Sequence, residues 1–222
     1  WSIDADSVAN TPNLDYNYRT PGNHVITFFI QTVNGCTFSV TKSIIIDSVV
    51  TNFSINPVRF CGSGTASFTN LTTNFAGISS YSWIFGDGNT SAAQDPTNNY
   101  LLPGNYSVQL IAETVNGCRD TTSFTDTVKV FNLPSATISG NAIVCLVPST
   151  TLQYTGNISS IDAIARYRWS IDADSVANTP NLDYNYRTPG NHVITFFIQT
   201  VNGCTFSVTK NIIIDSIKTS FS

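Results

Sequence analysis

Apolar and polar residues alternate in several short stretches of the chain. Between residues 106 and 110, Tyr106, Val108 and Leu110 take every second place, and the stretch 192–198 has the same pattern. Successive side chains of a β-strand point to opposite faces, so this period of two predicts strands with one buried face. A second pair of stretches carries the same signal: Tyr81, Trp83 and Phe85, with Tyr167, Trp169 and Ile171 as counterparts.

Asn-Gly pairs stand between strand-like runs at Asn116-Gly117 and Asn202-Gly203. Asn and Gly both accept positive φ angles, so each pair predicts a tight hairpin with a type I′ turn. Seven or so short strands in about 84 residues then predict an all-β fold built from two-sheet sandwiches.

The sequence repeats itself over a long interval. Residues Trp1 to Ser54 recur as Trp169 to Ser222, with 50 of 54 positions identical, in turns and loops as well as at apolar positions. Folding alone does not require loops to match as closely as a core, so we interpret the repeat as a recent duplication. The sequence is therefore expected to be a window of a longer tandem array.

A fainter repeat divides each long unit in two. It is carried by residues at an offset of 86: Trp83, Tyr100, Pro103, Gly104 and Cys118 match Trp169, Tyr186, Pro189, Gly190 and Cys204. We therefore expect the C-terminal part of a second-type domain at 1–48, a first-type domain at 49–132, a second-type domain at 133–216, and the start of the next first-type domain at 217–222.

Composition excludes some classes of function. Charged residues make up 11% of the chain, the net charge is −4, and the ten Lys and Arg do not cluster in a run. This leaves no electrostatic basis for nucleic-acid binding. No stretch reaches the roughly 18 consecutive apolar residues of a membrane-spanning helix. The absence of Met and of a signal peptide is what a start inside a longer chain predicts.

Residues 80–131 carry a family signature. It runs Ser82-Trp83-Ile84-Phe85-Gly86-Asp87-Gly88 and continues with Tyr100, Pro103-Gly104, Tyr106, Val108 and Leu110. This stretch resembles the polycystic kidney disease (PKD) domain, an immunoglobulin-like β-sandwich whose hallmark is a Trp-x-Phe-Gly-Asp-Gly hairpin.

The second-type domain departs from the signature at that hairpin. It has Ile171-Asp172-Ala173-Asp174 in place of Phe-Gly-Asp-Gly, but it keeps Trp169, Tyr186 and Pro189-Gly190. We interpret it as a degenerate copy. The resemblance thus implies tandem immunoglobulin-like, PKD-type β-sandwiches in a linear array.

The resemblance also implies a class of protein. A Cys-Gly pair before the second strand and an Asn-Gly-Cys hairpin are similar to PKD arrays of giant Bacteroidetes surface proteins, which include gliding-motility adhesins of the SprB kind exported by type IX secretion. It implies a non-enzymatic, extracellular repeat of a cell-surface stalk or filament, for adhesion and gliding motility. Its partners would be neighbouring repeats and polysaccharide or other surface ligands. The alternative is a spacer or carbohydrate-binding region of a large secreted hydrolase.

Histidine occurs at one position only, as His24 and as its copy His192. The position aligns with Tyr106 on an inward face, so packing explains it better than catalysis. No Cys or Ser stands beside it in the sequence to form a nucleophile–base pair, and no catalytic residue is expected.

Carboxylates make a weak case for calcium, and no other cofactor is expected. Asp87 in the Gly-Asp-Gly turn would supply an oxygen ligand or cap its own hairpin. Asp172 and Asp174 alternate along one loop, as do their copies Asp4 and Asp6. Calcium takes about six to eight oxygen ligands, so two carboxylates are few.

Aromatic residues are candidates for stacking on sugars at four places: Tyr16, Tyr18, Tyr184 and Tyr186. Alternation along the strands predicts that half of them belong to the core.

Asp followed by Ser or Thr, and then by a small or apolar residue or Thr, occurs six times. Six of the 13 Asp residues begin such a triplet, where composition alone gives about one. The triplet resembles the O-glycosylation signal of secreted Bacteroidetes proteins, whereas the alternative is that Asp-Ser and Asp-Thr make good turns. The resemblance implies O-glycans on Ser7, Ser48, Thr121, Thr127, Ser175 and Ser216.

Cysteines in a secreted chain are expected to be paired. Spacing alone suggests one bond inside each domain, Cys61 with Cys118 and Cys145 with Cys204. The strand order implied by the PKD resemblance places Cys61 and Cys118 at opposite ends of a sandwich, too far apart for a disulfide. With that order, head-to-tail domains bring Cys61 to Cys204. Cys36, Cys118 and Cys145 then pair with domains outside this window.

Overall fold

The computed structural model describes residues 1–146 and 151–216, and its regular elements are β-strands. The chain forms two compact units. Trp1–Val58, Thr65–Asn98 and Tyr106–Val128 make up the first, and Arg59–Gly64, Asn99–Asn105 and Lys129–Ser222 the second. The described residues include no helix long and apolar enough to cross a membrane. The predicted start of a further domain at 217–222 lies outside the described residues.

The N-terminal range forms one four-stranded sheet. Its strands are β1 (Ser2–Ile3), β2 (Asp6–Ser7), β3 (Gly22–Gln31) and β4 (Thr37–Ile46). They lie in the order β2-β1-β3-β4. In the long β3–β4 hairpin, Gly22 lies opposite Ile46 and Gln31 opposite Thr37.

The middle of the chain forms a sandwich, which we call the first sandwich. Its strands are β5 (Val49–Val50), β6 (Phe53–Asn56), β7 (Arg59–Cys61), β8 (Gly64–Asn70), β9 (Thr73–Asn74), β10 (Ile78–Ile84), β11 (Thr90–Ser91), β12 (Thr97–Tyr100), β13 (Gly104–Thr114) and β14 (Arg119–Phe131). The sheets have the orders β11-β10-β13-β14-β7 and β12-β8-β6, beside the short pair β5-β9. Trp83 is fully buried among Phe53 and Phe68, as the period-two pattern predicts.

The second sandwich repeats this plan. Its strands are β15 (Ser135–Ser139), β16 (Ile143–Cys145), β17 (Leu152–Ser159), β18 (Ile164–Ile171), β19 (Asp174–Ala177), β20 (Asn181–Tyr184), β21 (Gly190–Thr200) and β22 (Thr205–Asp215). The sheets have the orders β15-β17-β20 and β16-β22-β21-β18-β19. The ring of Trp169 stacks on that of Phe196, with 4.3 Å between the ring centroids, and the Trp169 Nε1 donates to the Thr179 carbonyl. Trp83 donates to the Ala93 carbonyl in the same way.

The two Asn-Gly hairpins are confirmed, but their predicted turn type is wrong. Gly117 and Gly203 have φ angles of 85° and 89°, whereas the preceding Asn residues do not have positive φ. One left-handed Gly after a tight turn is typical of a longer hairpin loop closed by a bulge. Two consecutive positive φ angles, as a type I′ turn needs, occur instead at Asp172 and Ala173, 48° and 78°.

Candidate functional site

Cys61 and Cys204 form a disulfide, with their Cα atoms 5.5 Å apart. Cys61 ends β7, Cys204 directly precedes β22, and both belong to the second compact unit. The structure therefore brings together one cysteine from the range 49–132 and one from the range 133–216.

The backbone around each cysteine is well defined. β7 runs parallel to the end of β14, with Cys61 opposite Phe131, and the Gly62 N–H donates to the Phe131 carbonyl at 2.7 Å. The N–H of Cys204 donates to the Thr200 hydroxyl at 3.1 Å, and the Cys204 side chain is buried. Both bonded cysteines are thus placed by short hydrogen-bonded segments rather than by long loops.

Three other cysteines are free thiols in this chain: Cys36, Cys118 and Cys145. Cys36 and Cys118 follow the same kind of turn as Cys204, since each N–H donates to the hydroxyl of the Thr four residues earlier. Cys145 ends β16, which runs parallel to β22 as β7 does to β14. The free thiols therefore occupy the same two structural positions as the bonded pair.

The second sandwich contains an ion pair that sequence reasoning missed. His192 Nδ1 lies 2.6 Å from Asp172 Oδ2, and His192 Nε2 lies 3.2 Å from the Thr188 carbonyl oxygen. Carboxylate and carbonyl oxygens only accept, so this geometry suits the imidazolium form, in which both ring nitrogens donate. His24 and Asp4 repeat the arrangement in the N-terminal sheet, also at 2.6 Å.

The electrostatics agree with this protonation state. Burial lowers the pKa of His192, but its hydrogen bonds to Asp172 and Thr188 outweigh burial, so the pKa lies above its ordinary value. The hydrogen bond from His192, together with one from the Val193 N–H, holds the pKa of Asp172 below its ordinary value. Each partner therefore favours the charged form of the other.

The ion pair fastens the β18–β19 turn to the start of β21 and leaves no ring nitrogen free to act as a base. The ring also packs against Tyr186 at 4.9 Å between centroids, so the packing interpretation was correct but incomplete. A signal was present in the sequence. At the offset of 86, Gly86 becomes Asp172 and Tyr106 becomes His192, which is a paired change between the two domain types.

Asp87 caps its own turn in the first sandwich. Its carboxylate accepts hydrogen bonds from Asn89 N–H at 3.0 Å, from Asn89 Nδ2 at 3.0 Å and from Asn98 Nδ2 at 2.7 Å. In the second sandwich, Asp172 is paired with His192 and Asp174 is exposed. Across residues 1–146 and 151–216, no group of three or more His, Cys, Asp or Glu could hold a metal ion.

The candidate O-glycosylation residues differ in exposure. Ser7, Thr121 and Ser175 are exposed, whereas Ser48, Thr127 and Ser216 are half-buried. Two of the acids that begin the triplets have structural roles as well. Asp47 accepts hydrogen bonds from the Ser48 N–H and the Thr114 hydroxyl, and Asp120 accepts two from Thr51.

The tyrosines proposed for sugar stacking are only partly at the surface. Tyr186 is buried and Tyr184 is half-buried, and their rings meet edge to face at 4.9 Å. Tyr16 is 47% exposed and Tyr18 half-buried. Burial raises the pKa of Tyr186 far above its ordinary value. These rings do not form a flat platform.

A family model described as PKD domain matches residues 55–130. No curated protein matches the chain. Among solved structures, the chain is similar to the PKD1 domain of Vibrio anguillarum Epp, with 30% identity over 37% of this chain and 95% of that one, and a TM-score of 0.33.

Two multidomain structures are also similar to the chain. The fibronectin(III)-like modules of Clostridium thermocellum CbhA share 15% identity over 79% of this chain and 99% of that one, with a TM-score of 0.38. A Ca²⁺-stabilised adhesin that helps an Antarctic bacterium bind ice shares 11% identity over 89% of this chain and 58% of that one, with a TM-score of 0.42. Given the match at 55–130 and a second sandwich that repeats the same sheet orders, the chain belongs to the PKD family through its first sandwich and carries immunoglobulin-like domains of the PKD type in tandem.

Proposed function

We propose that this chain is a non-enzymatic structural and adhesive repeat of a long extracellular stalk or filament at the cell surface. The observation that carries the proposal is the disulfide between Cys61 and Cys204, whose partners come from successive PKD-type domain ranges and are 143 residues apart in sequence. Tension applied at the two ends of the chain passes through the cross-link and bypasses the residues it encloses. Such a bond suits a repeat that transmits force.

Single-molecule pulling of the full chain tests this role. An extended chain spans about 3.3–3.6 Å per residue, so the sequence separation of 143 residues between the bonded cysteines corresponds to about 490 Å of contour length. We expect the fully stretched oxidised chain to be shorter by about that length than the chain with Cys61→Ser and Cys204→Ser. Cys36→Ser with Cys118→Ser is the matched control and should leave the length unchanged. Equal lengths for the oxidised chain and the Cys61/Cys204 variant would contradict the proposal.

The finer assignment is to gliding motility and type IX export. It is supported by the resemblance of the Cys-Gly and Asn-Gly-Cys segments to those of Bacteroidetes PKD arrays. Deleting the repeats from the gene in the source organism should reduce attachment to a surface and movement along it, while growth in suspension is unchanged. Normal attachment and movement after the deletion would contradict the assignment.

The three free cysteines extend the proposal to neighbouring repeats. Cys145 has the strand position of Cys61, and Cys118 has the turn position of Cys204. We infer that Cys145 pairs with the Cys118 position of the following repeat and that Cys36 pairs with the Cys61 position of the preceding one. Non-reducing peptide mapping of the native protein should find these linked peptides. A Cys61–Cys118 peptide would contradict the pairing scheme.

O-glycosylation is proposed for the Ser and Thr of the six Asp-initiated triplets. The exposure of Ser7, Thr121 and Ser175 supports modification there, because a transferase can reach these hydroxyls on the folded chain. Mass spectrometry of the native protein should show hexose-type additions on these three residues first. Unmodified peptides at all six positions would refute the proposal.

A further inference from the structure

A cleft of about 340 Å³ opens beside β18 and β19 in the second sandwich. Its lining includes Arg166, Arg168, Ser175 and Asn178, which are all exposed. Arg166 and Arg168 alternate along β18 with the buried Trp169, so they lie on the face of the sheet that points away from the core. The lining is therefore polar and open to solvent.

The two arginines have no acidic partner among the described residues, whose ion pairs involve other side chains. The first sandwich differs at the same positions. There Ser80 lies opposite Glu113, whereas in the second sandwich Arg166 lies opposite Gln199. The Glu113 carboxylate is itself neutralised by Arg119 at 2.6 Å. The second sandwich has thus gained two unbalanced positive charges in a chain whose net charge is −4.

One of the arginines is held in place by an aromatic ring. The Arg168 guanidinium carbon lies 5.2 Å from the centre of the Phe197 ring. Phe197 is half-buried. A guanidinium stacked by its face keeps the N–H donors at its edge available and loses rotamer freedom before any ligand binds. Arg168 is therefore preorganised to meet an anion.

We propose that this cleft binds an acidic polysaccharide through the carboxylates of its uronate residues. Planar carboxylates match the two-pronged donor geometry of Arg166 and Arg168. Ser175 and Asn178 supply neutral donors and acceptors of the kind that pair with sugar hydroxyls. An acidic peptide is less well matched, because protein interfaces anchor on buried apolar or aromatic side chains, and the aromatic ring of this lining, Tyr167, is half-buried and already stacked on Phe196.

This inference rests on the proposed adhesive function and names its ligand class. One shallow site binds weakly, but a tandem array presents one such site in every second-type domain in which Ser175 carries no glycan. Many weak sites along one chain raise the overall avidity for a polymer far above that of a single site. The pulling experiment on the disulfide does not involve this cleft. A chain that retains the cross-link but fails to bind uronates would therefore refute the inference alone.

Titration of the full chain with hexagalacturonate tests the proposal, with neutral cellohexaose and a hexaglutamate peptide as comparison ligands. The chain is prepared with Ser175 unmodified, since a glycan there would cover the cleft. The test variant is Arg166→Ser with Arg168→Ser, which introduces serines as found at the same positions of the first sandwich. The matched control is Arg19→Ser with Arg187→Ser, which removes two exposed positive charges elsewhere.

We expect saturable binding of hexagalacturonate, a loss of at least about tenfold in the Arg166/Arg168 variant, and a change of less than about twofold in the control. Amide chemical shifts of the unsubstituted chain on titration should change at residues 166–168 and 175–178. This measurement tests the proposal even if the Arg166/Arg168 variant fails to fold. Absence of binding, equal losses in both variants, shifts elsewhere, or equal or tighter binding of hexaglutamate would each overturn the proposal.

Discussion

Ile198 and Ile30 occupy the same position in two nearly identical sequence copies, but they differ in burial. Ile198 is 0% exposed and Ile30 is 45% exposed. The second sandwich has the further sheet β15-β17-β20, whereas residues 1–48 repeat only residues 169–216 and form a single sheet in this chain. Replacing each isoleucine by alanine therefore tests tertiary burial with local sequence held constant.

The expected magnitudes follow from the burial. Ile→Ala removes three carbon atoms, which at about 0.8 kcal/mol each amounts to roughly 2.4 kcal/mol of transfer free energy for a fully buried side chain. The cavity left behind adds to this, so we expect Ile198→Ala to lower the free energy of unfolding by about 3 kcal/mol. At Ile30 about half of the transfer term applies and no closed cavity forms, so Ile30→Ala should lower it by about 1 kcal/mol.

Native-state hydrogen exchange read by mass spectrometry resolves the two sites in one chain. Exchange should accelerate in residues 190–215 for Ile198→Ala and change little in residues 22–46 for Ile30→Ala. Because the two segments have nearly the same sequence, intrinsic exchange rates almost cancel in the comparison. Equal losses of protection in the two variants would refute the reasoning from burial.

Two further predictions concern turns. Asp172→Asn should remove a contribution to the free energy of unfolding that is largest between about pH 4 and 6.5. The contribution from protonated His192 is complete below its ordinary pKa of 6.5 and is lost as pH rises through its raised pKa. The contribution from ionised Asp172 is present above its ordinary pKa of 3.8 and is lost as pH falls through its lowered pKa. Thermal unfolding of both chains across pH measures the difference, and a difference independent of pH would contradict it. Gly86→Ala should destabilise the first sandwich by about 3 kcal/mol or more, since its φ is +83° and a Cβ would lie 2.5 Å from the Ser107 carbonyl oxygen. Gly88→Ala is the control, because its φ is +95° but no atom lies within 4 Å of the added Cβ, and it should destabilise the sandwich by about 1 kcal/mol. Urea unfolding measures both variants, and equal effects would show that the approach of Gly86 to Ser107 does not matter.

Local pattern was enough to predict the architecture. Strand periodicity depends only on neighbouring residues, so the inward positions of β10, β13, β18 and β21 could be read directly from the sequence. The tandem organisation and the PKD signature around Trp83 and Asp87 are likewise linear features. The hairpins at Asn116-Gly117 and Asn202-Gly203 could be predicted for the same reason. Their turn type could not, because the local pattern does not decide whether the Asn as well as the Gly takes a positive φ.

Contacts between distant segments required the tertiary structure. His192 and Asp172 are 20 residues apart and meet only because the β18–β19 turn lies beside the start of β21. Arg166 and Arg168 lie opposite Gln199 and Phe197 rather than opposite an acidic residue. No local pattern specifies that strand register. Spacing favoured a bond from Cys61 to Cys118, whereas the topology places Cys61 at Cys204. Sequence encodes which face of a strand is buried, but which segment covers that face depends on chain topology.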